Sequence, residues 1–322
     1  LKYAKLTRTD LLPSVLCLGT PEYGSSISRE DSFVLMDAFL NAGGNFLDTA
    51  HIYADWQCET KGMSEITIGE WVASRSCRDR VIVATKGGSY TAEDPTPRLR
   101  KEQITGDLKL GLARLAMDYV DIYWLHRDDP NRPVEEILET LEGLKSDGVM
   151  RWYAASNWSW QRLKEARAYA DKMGYTGFVA SQIQWSLADL NPEGVMDTTQ
   201  AVMDDDTLTY HMESGLPQVP YTSQASGFFS GKYVRDDPNS GKPHIHTNYG
   251  SDKNWDRLDR VLELAHHFGH TPNQIALAYL IGQSFPVYPI VGCRSVSQLL
   301  DSCGAADIHL TQEQVQYLAG TE

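Results

Sequence analysis

Eight short runs of β-branched or apolar residues alternate with longer stretches that carry apolar residues at helical spacing. The runs fall at 15–18, 45–47, 80–84, 119–125, 150–154, 178–183, 218–221 and 286–291. The amphipathic stretches fall at 29–41, 64–74, 101–116, 134–146, 159–173, 196–212, 255–268 and 296–303. Strands separated by helices pair in parallel, because a parallel neighbour needs a long crossover connection. Eight such units suffice to close a sheet on itself, so the alternation predicts an α/β fold, a (β/α)8 TIM barrel. Residues 3–6 and 11–12 flank the polar turn Arg8-Thr9-Asp10 and read as an N-terminal β-hairpin closing the barrel bottom. A C-terminal extra helix is expected over 311–319. Ser64 and Thr271-Pro272 are placed to open helices, and Asn41-Ala42-Gly43-Gly44 and Asp147-Gly148 to end them. The stretch 231–254 is polar and without periodicity, and reads as a mobile loop on the top face, a candidate lid. No shift of composition divides the chain, so residues 1–322 are expected to form a single domain.

Composition narrows the function. The formal net charge is -14 and the pI about 5.1. A surface this acidic repels phosphate backbones and anionic lipid, which argues against nucleic-acid and membrane-surface partners. The five cysteines are odd in number, widely spaced and free of any C-x-x-C, as expected of reduced thiols in a cytoplasmic protein. No apolar run is long enough to span a bilayer, and no leader pattern opens the sequence. His266, His267 and His270 cluster near a helix end, where the dipole favours histidine; no carboxylate stands at ligand spacing, and no metal is expected. Asp204-Asp205-Asp206 reads as a solvated helix start.

Barrel enzymes carry their chemistry at the C-terminal ends of the strands. The apolar runs there give way to Asp48, Lys86, His126, Ser156-Asn157 and Gln182, and the last run to Gly292-Cys293-Arg294-Ser295. A carboxylate, an ammonium and an imidazole at three adjacent strand ends are costly unless paired or functional. Tyr53 stands just beyond Asp48. An ammonium nearby favours phenolate, so a lowered Tyr53 pKa is expected, suiting it as the general acid that protonates a carbonyl oxygen. Asp48 would hold Lys86, and His126 would orient the carbonyl.

These residues lie in segments that resemble the aldo-keto reductase family. GNFLDTAHIY (44–53), VATK (83–86), DLKLGLARL (107–115) and DYVDIYWLH (118–126) are similar to its signature stretches, and the similarity runs from the hairpin to the last helix. The resemblance implies a catalytic tetrad of Asp48, Tyr53, Lys86 and His126. It also implies NADP(H), with NAD(H) as the alternative, bound extended across the barrel top. Cofactor contacts are then expected from Gly19, Thr20 and Asp48, and from Ser156, Asn157 and Gln182 on the nicotinamide amide. Trp185 would stack on that ring. Tyr221, Thr222, Ser223, Gln224, Ser226, Gly227 and Lys232 would follow the pyrophosphate, and Gly292, Cys293, Arg294, Ser295, Gln298 and Ser302 the adenosine end. Asp301 is placed to compete for the charge of Arg294.

For substrate, the candidates are Tyr23, Tyr53, Trp56, His126, Arg127 and Trp158. Aromatic platforms beside polar groups suit a polyhydroxylated molecule, so a sugar- or polyol-derived carbonyl is one expectation, within a general reduction of aldehydes or ketones. Two other functions fit the same residues: a cofactor-binding regulatory subunit with little turnover, and a sugar epimerase or lyase that uses bound nicotinamide internally. The barrel alone decides among none of these.

Overall fold

The structure is a computed structural model and describes residues 1–90, 96–195 and 197–321. Its strands are β1 (Cys17–Gly19), β2 (Phe46–Asp48), β3 (Ile82–Gly87), β4 (Val120–Leu125), β5 (Met150–Ser156), β6 (Ser181–Gln182) and β7 (Ile290–Val291). All pair in parallel, in the order β6-β5-β4-β3-β2-β1-β7. Residues 217–221 complete the barrel between β6 and β7 through parallel bridges from Gln218 to Ser181 and to Val287. Here the ladder is thin because Pro217, Pro220, Pro286 and Pro289 bring no N–H. Their carbonyls still accept, from Ser181 N (2.9 Å), Ile290 N (2.9 Å), Gln218 N (2.9 Å) and Cys17 N (3.0 Å). The (β/α)8 expectation is met.

Around the sheet lie α1 (Arg29–Asn41), α2 (Met63–Arg75), α3 (Lys101–Leu115), α4 (Val134–Ser146), α5 (Trp160–Met173), α6 (Asp205–Ser214), α7 (Pro243–Tyr249), α8 (Asp252–Phe268), α9 (Pro272–Ile281), α10 (Val296–Gly304) and α11 (Gln312–Ala319). Their buried faces follow the helical period: α4 buries Val134, Ile137, Leu138, Leu141 and Leu144. The N-terminal hairpin forms, with Leu6 N on Leu11 O (3.1 Å), and places Leu6 and Leu11 among the residues that fill the barrel.

Three expectations are corrected. Ser64 does not cap α2; Gly62 does, at φ 74, while the buried Ser64 hydroxyl donates to Thr20 O (2.7 Å) and meets Thr49 Oγ1 (2.7 Å). The sixth helix starts at Asp205, not at 196, because Asp204 accepts from Thr207 N (2.7 Å) and fixes the entry there; Met196 lies outside the described residues. The stretch 231–254 is not a structureless loop. It contains α7 and the first turn of α8, held down by buried Ile245, Tyr249 and Asn254.

Strand parity positions the site. Phe46, Ile82, Ala84, Ile122, Trp124, Ala154 and Ala180 pack together inside the barrel. Side chains alternate with period two, so Asp48, Lys86, His126, Ser156 and Gln182 continue the same inward phase as its uppermost layer.

Candidate active site

Lys86 stands at the centre of that layer, fully buried. Its Nζ donates to Asp48 Oδ2 (2.5 Å), Thr49 O (2.9 Å) and the Tyr53 hydroxyl oxygen (3.0 Å), so all three ammonium donors are directed. Asp48 Oδ1 accepts from Gln182 Nε2 (3.2 Å). Burial works against the charge of Lys86, but the Asp48 carboxylate and the Tyr53 oxygen more than offset it and hold the ammonium above its ordinary range. With its oxygen accepting from Lys86, the Tyr53 phenol is free to aim its proton at the cleft.

The expected lowering of the Tyr53 pKa is not found. Burial pushes the phenol up, the Lys86 ammonium pulls it back only in part, and the Asp48 carboxylate adds to the rise. Tyr53 therefore rests as a neutral phenol, the protonation state a proton donor needs. His126 meets it edge-on, ring centroids 6.0 Å apart. Burial and the cations Arg127 and Lys86 hold this imidazole well below the usual histidine range. His126 is thus neutral, and its Nδ1 has no hydrogen-bond partner among the described residues.

A cleft of about 470 Å³ opens above these groups, lined by Tyr53, Trp56, His126, Arg127, Ser156, Asn157, Gln182 and Tyr221, and by Thr222, Ser223, Gln224 and Ser226 further along. Gly19, Pro21, Gln224, Ser226 and Gly292 also border a second cavity of about 1070 Å³, which Gly227, Lys232, Cys293, Arg294 and Gln298 line. The two make one trough, with amide and hydroxyl groups along its middle and cations at its far end. That shape and donor set fit an extended dinucleotide. Gly292 has open space where a Cβ would stand, and Gly19 sits so close that a Cβ would meet Ile290 Cγ2 at 2.6 Å.

Not every expected residue reaches the trough. Trp185 is packed behind it, stacked on Phe285 (6.0 Å, 9°) and edge-on to Tyr279, whereas Tyr221 does line the cleft. Trp158 is wholly buried, donating to Arg127 O (3.3 Å) and meeting Phe178 edge-on. Tyr23 borders the far cavity, not the reactive end, and its buried hydroxyl has no partner among the described residues. Thr20 is buried with its hydroxyl on Asp48 O (3.0 Å), Ser302 is buried beneath Gln224 and Asn273, and Ser295 caps α10; none of the three lines either cavity. Asp301 does not compete for Arg294. It accepts from Thr271 (2.8 Å) and Asn273 (2.9 Å), and Arg294 pairs with Glu22 instead.

The sequence reading does not include Ile52 and Gln200, which line the reactive end, Pro21 and Ile290, which line the same cleft, or Asp197 and Thr199, which accept from Arg127 (both 2.9 Å). Arg127 is therefore a paired cation in the wall. Gln200, Asp197 and Thr199 lie between β6 and α6, in the part of 196–212 that the sequence assigns to a helix and the structure leaves as irregular backbone ahead of Asp205. Ile52 had a visible signal, being adjacent to Tyr53.

A parallel barrel with a tyrosine phenol set on a buried Lys–Asp pair, at one end of a dinucleotide-sized trough, has the design of an oxidoreductase site. The chain belongs to the aldo/keto reductase family, whose family model matches residues 15–322. It is 30% identical to an uncharacterized oxidoreductase of Bacillus subtilis, over 99% of this chain and 95% of the relative. Identity is 31% to an aryl-alcohol dehydrogenase, NADP(+) by name, of Phanerodontia chrysosporium, over 93% and 78%. It is 29% to a norsolorinic acid reductase of Emericella nidulans, over 96% and 78%. The protein is thus an oxidoreductase of a family that acts on small-molecule carbonyls. No helix among the described residues is long and apolar enough to cross a membrane.

Proposed function

We propose that the protein reduces an aldehyde or ketone to an alcohol with NADP(H), Tyr53 being the general acid. The observation that carries this reading is the Lys86 ammonium, locked on Asp48 and Thr49 and within 3.0 Å of a Tyr53 hydroxyl that borders the cleft. The cofactor, when bound, supplies hydride to the carbonyl carbon. Ser156, Asn157 and Gln182 would hold its amide, Tyr221 its ring, and Lys232, Arg294 and Gln298 its distal phosphate.

As negative charge grows on the carbonyl oxygen, the Tyr53 proton moves to it, and Lys86 stabilises the phenolate left behind. Asp48 keeps Lys86 charged and aimed. Neutral His126 directs an N–H at the same oxygen, fixing the carbonyl without delivering a competing proton. Trp56 is the exposed aromatic at the mouth. With Tyr23 and Trp158 turned away, Trp56 is the one aromatic platform of those three left beside the polar cleft groups for a sugar or polyol carbonyl. Its flat face suits an aryl carbonyl equally, the oxidised counterpart of the aryl alcohol in the name of the Phanerodontia relative.

NADPH consumption over a panel of aryl aldehydes, ketones and keto-sugars tests the reading, alongside Tyr53→Phe. The wild type is expected to turn over and Tyr53→Phe to bind NADPH with at least about 100-fold lower kcat. A Tyr53→Phe enzyme as fast as wild type would exclude the tyrosine as the acid. Tight NADPH binding with no turnover by the wild type would return the regulatory-subunit reading.

A further inference from the structure

Behind the Tyr53 loop lies an ion pair between a fully buried carboxylate and a partly buried guanidinium. Arg114, near the end of α3, donates from Nη1 to the His51 carbonyl (2.8 Å) and to Glu65 Oε2 (3.3 Å). Glu65, in the first turn of α2, is fully buried and accepts from Thr85 Oγ1 (2.6 Å), the residue before Lys86. His51 faces the other way as well. Its backbone N–H donates to Lys86 O (3.0 Å), and its Nδ1 lies 3.0 Å from the same oxygen. His51 is thus gripped from both sides, two residues before Tyr53.

The packing leaves this grip no slack. A Cβ at Gly62 would come within 2.3 Å of the Arg114 guanidinium, and one at Gly111 within 2.7 Å of Glu65 Oε1. Both charged groups are enclosed by backbone at positions that lack side chains. Such a pair is weak evidence of a stabilising role, because apolar residues of the same volume often do as well. What the pair does touch is the loop that must hold the phenol on Lys86 Nζ.

We propose that Arg114 is a positioning residue, clamping the Tyr53 loop to the lysine strand through the His51 carbonyl. The role rests on the reductase reading above. Arg114 touches neither cleft nor tetrad; it acts by fixing where Tyr53 stands, and small misplacements of a reacting group are costly in rate.

Arg114→Gln in the full chain is the test. Expected is a fall in kcat of about tenfold or more, with the Kd of NADPH changed by less than about twofold, and faster amide hydrogen exchange over residues 51–62. Arg114→Gln leaves Glu65 buried without its cation, so a lower Tm alone would mean little. The double variant Glu65→Gln/Arg114→Gln removes that charge. It is expected to regain Tm but neither kcat nor slow exchange. Recovery of kcat together with Tm would overturn the proposal, as would Arg114→Gln with unchanged kcat and exchange. The exchange measurement needs no turnover. If the wild type proved inactive on every carbonyl, the reductase reading would fall; faster exchange in Arg114→Gln would still uphold the clamp, and unchanged exchange would sink it.

Discussion

Arg294 is the guanidinium best placed for a phosphate at the far end of the trough, and it is already partnered. Glu22, from the loop after β1, reaches across to it. Both side chains keep contact with water, and exposed pairs of this kind contribute only ~0–1 kcal/mol. A phosphate arriving at Arg294 must nevertheless displace or repel that carboxylate. Glu22→Gln is therefore expected to tighten NADPH binding about two- to fivefold at low salt while leaving NADH unchanged. Fluorescence titration of both cofactors measures it. Equal gains for the two would place Glu22 against a phosphate they share. Tyr53 teaches a related lesson at the same scale. Its neighbour Lys86 was legible in the sequence, but the direction of its pKa depends on how deeply the hydroxyl is buried, which strand-end spacing does not reveal.

At the scale of elements, α9 illustrates a boundary written locally. Thr271 Oγ1 accepts from Gln274 N (3.2 Å), Gln274 Oε1 accepts in return from Thr271 N (3.2 Å), and Pro272 opens the helix. Thr271→Ala is expected to cost about 1 kcal/mol, seen as a Tm lowered by about 2 °C, whereas Thr271→Ser should leave Tm near wild type. An Ala variant as stable as wild type would show that the Thr271 hydroxyl does not stabilise the start of the helix. Where caps and helical spacing coincide the sequence is transparent: 29–41 and 134–146 are helices over those same residues. The thin strand at 217–221 was visible as an apolar run, yet its prolines leave only bridges. The upper layer of the barrel was legible because Asp48, Lys86, His126, Ser156 and Gln182 share one parity with the apolar residues below. Trp158 and Trp185 were misplaced for the same reason. Asn157 takes φ 60, which breaks the alternation and turns Trp158 under the rim, and Trp185 is on the odd phase, away from the lumen.

For the whole molecule, three buried imidazoles tie folding to pH. His51, His126 and His211 are each held below the ordinary histidine value of 6.5, in every case chiefly by burial. A folded-state pKa below the unfolded one means that the unfolded chain binds more protons as the solution is acidified. Stability is then full above pH 6.5 and falls as pH drops below it, by up to about 1.4 kcal/mol per pH unit for each histidine still neutral in the fold. Glu65, Asp48 and Asp128 are raised by burial and work in the opposite sense, so the net curve mixes both. His211 isolates one contribution. It lies outside the catalytic layer, its Nδ1 2.8 Å from Leu216 O and its ring stacked on Phe285. His211→Gln removes the titrating group, and whatever packing it loses is the same at every pH. The difference in denaturation free energy between wild type and His211→Gln should accordingly shrink as pH falls from 7 to 5, at a slope of at most about 1.4 kcal/mol per unit, until the folded imidazole itself takes up a proton. A difference constant over that range would mean that His211 protonates as readily folded as unfolded, and that burial in this barrel does not keep its imidazoles neutral.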